Sequence, residues 1–219
     1  VAENADKVTR DYYKILLVSQ SGKGKTFSAR NLDRKTTGFI NVENKPLPFK
    51  GSFENHIRCN SYTEAYSALI EYAKNPNIKQ IFFDSFSAYV DLLLLECRKT
   101  KKGFDVWNLY AEEIGKLLNL IKRIPKEVYV TAHYEVLSPE GTQERRVKVK
   151  GKEWEGVIEK EFTIVLYADR KINEKKEVEA WFDTVLEGSS AKCPPDLLNS
   201  HRTDNDCDMI QKAILEYVK

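Results

Sequence analysis

The sequence predicts an α/β domain with a mainly parallel sheet flanked by helices, and three observations lead there. Strand-length apolar runs alternate with helix-length stretches from Tyr13 to Ala132. Two of those runs, Ile78 to Phe83, broken only by Lys79 and Gln80, and Val128 to Ala132, are of the apolar kind found in strands buried on both faces. A Ser/Gly-rich loop joins the first strand to the next helical stretch.

Taken in order, Tyr13 to Val18 is a run of β-formers ending at a Ser/Gly cluster, and Thr26 to Leu32 continues with helical spacing. Gly38 to Val42 reads as the second strand, followed by the Pro-containing loop Asn44 to Phe53 and a short strand at His56 to Cys59. Ser61 opens S-Y-T-E, a capping box, and Ala65, Ala68, Leu69 and Tyr72 form the apolar face of a helix that ends before Pro76. After the Ile78 to Phe83 strand come helices around Ala88 to Cys97 and Val106 to Ile124, the second halted by Pro125. Beyond His133 the pattern changes. Arg145 to Lys150, Phe162 to Ala168 and Glu177 to Phe182 read as strands with no convincing helix between them, so antiparallel strands or a hairpin are expected to extend the sheet. Asp204 stands where it can cap a final helix bearing Ile210, Ala213, Ile214 and Val218.

A chain of 219 residues has the size of one ordinary domain, and residues 1–219 are read as a single unit. With 35 basic against 33 acidic side chains and 42% apolar residues, the composition is that of a soluble globular protein, and a net charge of +2 names no partner. The longest apolar runs, Ile15 to Val18 and Leu92 to Leu95, fall far short of the roughly 20 residues that span a bilayer. No signal peptide is recognised, and a cytoplasmic protein without a membrane partner is expected. Cys59, Cys97, Cys193 and Cys207 are scattered with no CxxC pair, so neither a zinc site nor a disulfide framework is signalled.

Ser19 to Thr26 reads S-Q-S-G-K-G-K-T. Such a loop places converging backbone N–H groups around a phosphate, and glycine lets the chain approach that closely. The loop residues are Ser21, Gly22, Lys23, Gly24, Lys25, Thr26 and Phe27; Lys25 is expected on the β- and γ-phosphates and the Thr26 hydroxyl on Mg²⁺. Ser19 stands where the consensus has glycine, a departure expected to remove only a turn-forming residue. Asp84, closing I-F-F-D-S at a strand end, is the expected partner of the Mg²⁺, with Ser85 in support. Glu43 follows the second strand on the same sheet edge and is expected to orient or deprotonate water. His133, closing V-Y-V-T-A-H, is expected to sense the γ-phosphate, with Glu135 a weaker candidate.

In that order, the phosphate loop, the Glu after the second strand, the strand ending D-S and the strand ending T-A-H resemble RecA-like recombination ATPases. More narrowly, the chain resembles short phage-encoded RecA-like nucleotide-binding proteins that assist annealing. The later stretches F-D-T-V-L-E-G-S-S-A-K-C-P-P-D-L-L from Phe182 to Leu198 and T-D-N-D from Thr203 to Asp206 belong to the same resemblance. It implies ATP with Mg²⁺, a homo-oligomer with the nucleotide between subunits, single-stranded DNA as partner, a single-strand-binding or annealing protein as a further partner, and the bacterial host cytoplasm as location. It also implies a basic residue reaching the γ-phosphate from a neighbouring subunit, for which Arg170, Lys171 and Lys192 all remain open.

The resemblance to RecA-like proteins implies DNA on the loops after the D-S strand and the T-A-H strand, and both are basic here. The first carries Arg98, Lys99, Lys101 and Lys102 beside Phe104 and Trp107; the second carries Arg145, Arg146, Lys148, Lys150 and Lys152 beside Trp154. Alternation would set Arg146, Lys148 and Lys150 on one face of a strand. The alternative is a solvated sheet edge protected by lysines. Two other function classes also stay open, a nucleotide kinase with Arg145 and Arg146 in a lid and a non-hydrolysing ATP-dependent adaptor; a GTPase is disfavoured because no N-K-x-D-like sequence is present.

Overall fold

The computed structural model describes residues 11–138, 143–198 and 200–219. An eight-stranded sheet has the order β10-β9-β8-β1-β5-β4-β2-β3. Its members are β1 (Lys14–Val18), β2 (Thr37–Asn41), β3 (Asn55–Arg58), β4 (Gln80–Asp84), β5 (Glu127–Ala132), β8 (Ile164–Ile172), β9 (Val178–Asp183) and β10 (Arg202–Asp204). The six strands from β3 to β8 in that order run parallel, while β9 and β10 add antiparallel at one edge. Two further strands, β6 (Tyr134–Leu137) and β7 (Glu144–Val147), form a separate antiparallel hairpin.

Side-chain alternation divides the core into two layers. Leu16, Val18, Ile81, Phe83, Val128 and Val130 face helices α1 (Tyr62–Lys74), α2 (Phe86–Thr100) and α3 (Asp105–Arg123). Ile15, Leu17, Phe39, Phe82 and Tyr129 face the opposite layer, where α4 (Cys207–Tyr217) packs against a 3-10 helix at Thr26–Asn31. Phe53, Phe39, Phe82 and Tyr129 stack across that second face with successive centroid separations of 5.0, 5.1 and 6.1 Å. On the first face α1 lies so close to β2 that a Cβ on Gly38 would collide with the Tyr72 ring.

Helix ends follow their local chemistry. Ser61 Oγ accepts from the Glu64 amide at 3.1 Å, and the Glu64 carboxylate accepts from the Asn60 amide at 2.7 Å. Ser85 caps α2 through the Ala88 amide. At the opposite edge of the sheet, Lys14 Nζ donates to the carbonyls of Ile124 and Lys126, closing the end of α3.

Four expectations change. The stretch after the phosphate loop is a six-residue 3-10 helix rather than a full α-helix, because it is clamped between the loop and α4. Strand β8 joins the sheet parallel to β1, and the antiparallel extension begins only at β9. Strand β7 stops at Val147, so Lys148 and Lys150 lie beyond it. The cap of α4 is Asp206, whose side chain accepts from the Asp208 amide, because Asp204 is still paired in β10.

Candidate active site

Strand register fixes the site. Val18 of β1 is level with Ala132 of β5 and Tyr167 of β8, and Asn41 of β2 is level with Asp84 of β4. The residues that follow, Ser19, His133 and Glu43, therefore emerge with Asp84 on one carboxyl-terminal edge, where open α/β sheets hold ligands. Glu43, Asp84 and His133 line a cleft of about 520 Å³ with Ser21, Gly22, Gly24, Lys25, Thr26, Phe27, Asn41 and the segment Lys45–Pro48, while Ser19 is buried behind it. Its far wall is Arg170, Val178 and Ala180 from the β8–β9 hairpin.

Lys25 reaches inward, and its ammonium donates to the carbonyls of Ser19 and Gln20, each at 3.1 Å, and to Ser19 Oγ at 3.0 Å. Burial lowers it to about 8, against the opposing pull of Asp84 and Glu43. Ser19 thus does more than turn the chain: its hydroxyl is fully buried and holds the lysine. Thr26 Oγ1 donates to Asp84 Oδ2 at 2.8 Å, and Thr131 Oγ1 donates to Asp84 Oδ1 at 2.5 Å. Burial raises the Asp84 carboxyl while the two hydroxyl donors oppose the shift. A buried carboxylate beside a threonine oxygen is a hard-oxygen pair suited to Mg²⁺, an ion held by one or two protein oxygens together with substrate phosphates.

Glu43 has its carboxylate between three groups. His133 Nε2 is 3.5 Å from Oε1, Ser85 Oγ donates to Oε1 at 3.1 Å, and Lys45 Nζ pairs with Oε2 at 2.6 Å. The His133 contact, with Lys45, holds its carboxyl down at about 2, so Glu43 is an anion. His133 is fixed in turn: its amide donates to Ser87 Oγ at 2.8 Å, and Nδ1 lies 3.2 Å from both Lys25 Nζ and the Ser19 carbonyl. Sequence reasoning missed Lys45, Thr131 and Ser87; a polar residue near the end of an otherwise apolar strand was the available signal for Thr131, whereas Lys45 in the loop after β2 and Ser87 in the first turn of α2 carried none.

The remaining candidates divide. Arg170 lines the pocket of its own chain, with Nη2 3.9 Å from where a Cβ on Gly22 would stand. Lys171 pairs with Glu179, and Lys192 is tied through its backbone to Val165 with its ammonium lowered by burial. Lys23 pairs with Asp169 at 2.7 Å. Arg98, Lys101 and Lys102 are exposed, while Lys99 pairs with Glu96. Arg146 departs from the expected basic stripe: its guanidinium is spent on Glu144 and the Gly156 carbonyl. Lys150 pairs with Asp91 at 3.2 Å, and Lys148 is exposed. Trp154 donates its indole N–H to the Ala111 carbonyl at 3.0 Å, so it is packed rather than free to stack. Phe104 and Trp107, the aromatics beside the first basic region, line one cleft with Lys150, Lys152 and Trp154 of the second, whereas Arg98, Lys99, Lys101 and Lys102 do not line it. Arg145 and Arg146 are not among the residues lining the nucleotide cleft. Glu135 lies in β6, and it is not among the residues lining that cleft.

A phosphate loop on the central strand of a mainly parallel sheet, with an acidic strand end two strands away, defines a RecA-like P-loop ATPase core. The chain belongs to the AAA domain family, whose model matches residues 11–193. No curated protein matches the sequence. Among solved structures, a KaiC-like protein from the hyperthermophilic archaeon Pyrococcus horikoshii is similar at 14% identity and a TM-score of 0.49, over 78% of this chain and 76% of that one.

Proposed function

We propose that the chain is a Mg-ATP hydrolase that binds single-stranded DNA, assembles on it as a homo-oligomer and supports recombination or strand annealing. The observation that carries this reading is a contact between the nucleotide site and the basic segment: the Lys148 amide donates to the His133 carbonyl at 2.8 Å, so that segment is tied to the residue beside Glu43. Phe104, 80% exposed, and Trp107 offer aromatic faces on the adjoining cleft, next to Lys150 and Lys152.

In the hydrolytic step, the loop amides and Lys25 hold the phosphates. Thr26 and Asp84 would hold Mg²⁺, which supplies charge neutralisation on the phosphates when bound. Glu43, an anion on the cleft wall, orients the attacking water and accepts its proton. His133 reports phosphate occupancy to the segment beyond it. Steady-state ATP hydrolysis with and without single-stranded DNA tests the reading in the wild-type protein, Lys25→Ala and Glu43→Gln. Stimulation by DNA that both substitutions abolish is expected; turnover indifferent to DNA, in a protein that does not bind it, overturns the DNA part of the proposal.

A further inference from the structure

The T-D-N-D segment has no role in the site as described, and the family match ends before it at residue 193. It nevertheless packs directly beneath the phosphate loop. The Arg30 guanidinium donates to the Asn205 carbonyl, Asn31 Nδ2 donates to Asp206 at 2.6 Å, and Ser28 Oγ lies 3.1 Å from Cys207 Sγ. The Asn205 amide donates to the carbonyl of Ala180, itself a lining residue of the cleft. The start of α4 is thereby pinned to the 3-10 helix and to the hairpin on either side of the loop.

Within this clamp the Asn205 side chain is anomalous. It is 2% exposed, yet neither its Nδ2 nor its Oδ1 has a hydrogen-bond partner among the described residues. Both atoms point at the phosphate loop: a Cβ on Gly24 would stand 3.3 Å from each. A buried amide with donor and acceptor both unmet is destabilising, and natural cores rarely retain one without use. The loop above it is closed on itself. Its lysine is turned inward onto the carbonyls of Ser19 and Gln20, contacts that phosphate oxygens replace when they draw Lys25 outward.

We propose that Asn205 is a positioning residue of the nucleotide site: its side-chain amide pairs with the backbone around Gly24 when phosphate fills the loop, and so holds the loop in its phosphate-binding form. Only the phosphate-bearing state satisfies the amide, so Asn205 favours that state over the empty one. The inference rests on the nucleotide-site reading, and a phosphate-only probe separates the two.

Asn205→Leu is nearly isosteric and removes the unmet polar atoms. The variant is expected to be at least as heat-stable as the wild type without ligand, yet to bind ATP and inorganic tripolyphosphate about tenfold more weakly. A merely structural asparagine gives the opposite pattern, lower stability with unchanged affinity, and that result overturns the inference. Wild-type protein binding neither probe overturns the nucleotide-site reading and the inference with it. If Asn205→Leu does not fold, the wild-type protein still decides: its Asn205 side-chain amide resonance moves downfield on adding tripolyphosphate as the N–H gains an acceptor, and an unmoved resonance overturns the inference.

Discussion

Lys25 shows how burial and chemistry combine at a single residue. Its ammonium is held at about 8 by desolvation, with Asp84 and Glu43 pulling the other way, while an exposed lysine titrates near 10.5. Bound phosphates add negative charge beside it and raise that value. Above about pH 8 the free protein is losing the proton that the bound state needs, so nucleotide binding there takes one up. ATP affinity is therefore expected to fall as pH climbs through 8 and to be flat below it. Calorimetry in buffers of different ionisation enthalpy measures the uptake directly, with no net proton at pH 7 and a growing one by pH 9. Glu43 cannot produce this profile, because at about 2 it stays ionised throughout the window. Loss of the uptake in Lys25→Met, together with weaker binding, would assign the profile to this group.

Among the elements, those with local signals were legible and those set by packing were not. The capping box at Ser61 and Pro125 after α3 mark helix ends in the sequence itself, and the structure puts those ends at Tyr62 and Arg123. Asp84, Glu43 and His133 were likewise readable, because each ends or follows an apolar strand and register alone brings them to one edge. The 3-10 helix after the phosphate loop was not readable, since its length is set by α4, which arrives 175 residues later along the chain. Nor was the internal use of Arg146, since its partners Glu144 and Gly156 become neighbours only through the hairpin fold. Substitutions separate these two kinds of determinant. Ser61→Ala removes one cap and is expected to cost about 1 kcal/mol, seen as a lower urea midpoint with an unchanged slope. Gly38→Ala acts through packing: its Cβ has to displace Tyr72 from β2, so the loss is expected to reach about 1–3 kcal/mol.

At the scale of the whole molecule, β1 lies between β5 and β8, so the phosphate loop is flanked on one side by the strand that His133 follows and on the other by the hairpin that carries Arg170. One edge of the sheet therefore connects the nucleotide cleft to the basic segment, and the role of the charge on that segment can be measured. If Lys148 and Lys152 contact the phosphates of single-stranded DNA, each releases counterions on binding, and the slope of log affinity against log salt falls by roughly 0.7 for each contact removed. The double substitution Lys148→Ala with Lys152→Ala is expected to flatten that slope by about 1.4. Arg146→Ala is expected to leave it unchanged, because the Arg146 charge is already paired with Glu144 inside the fold. A salt titration of DNA binding in these two variants distinguishes a stripe that tracks the backbone from a solvated edge: equal slopes in both and in the wild type would place the DNA elsewhere on the molecule.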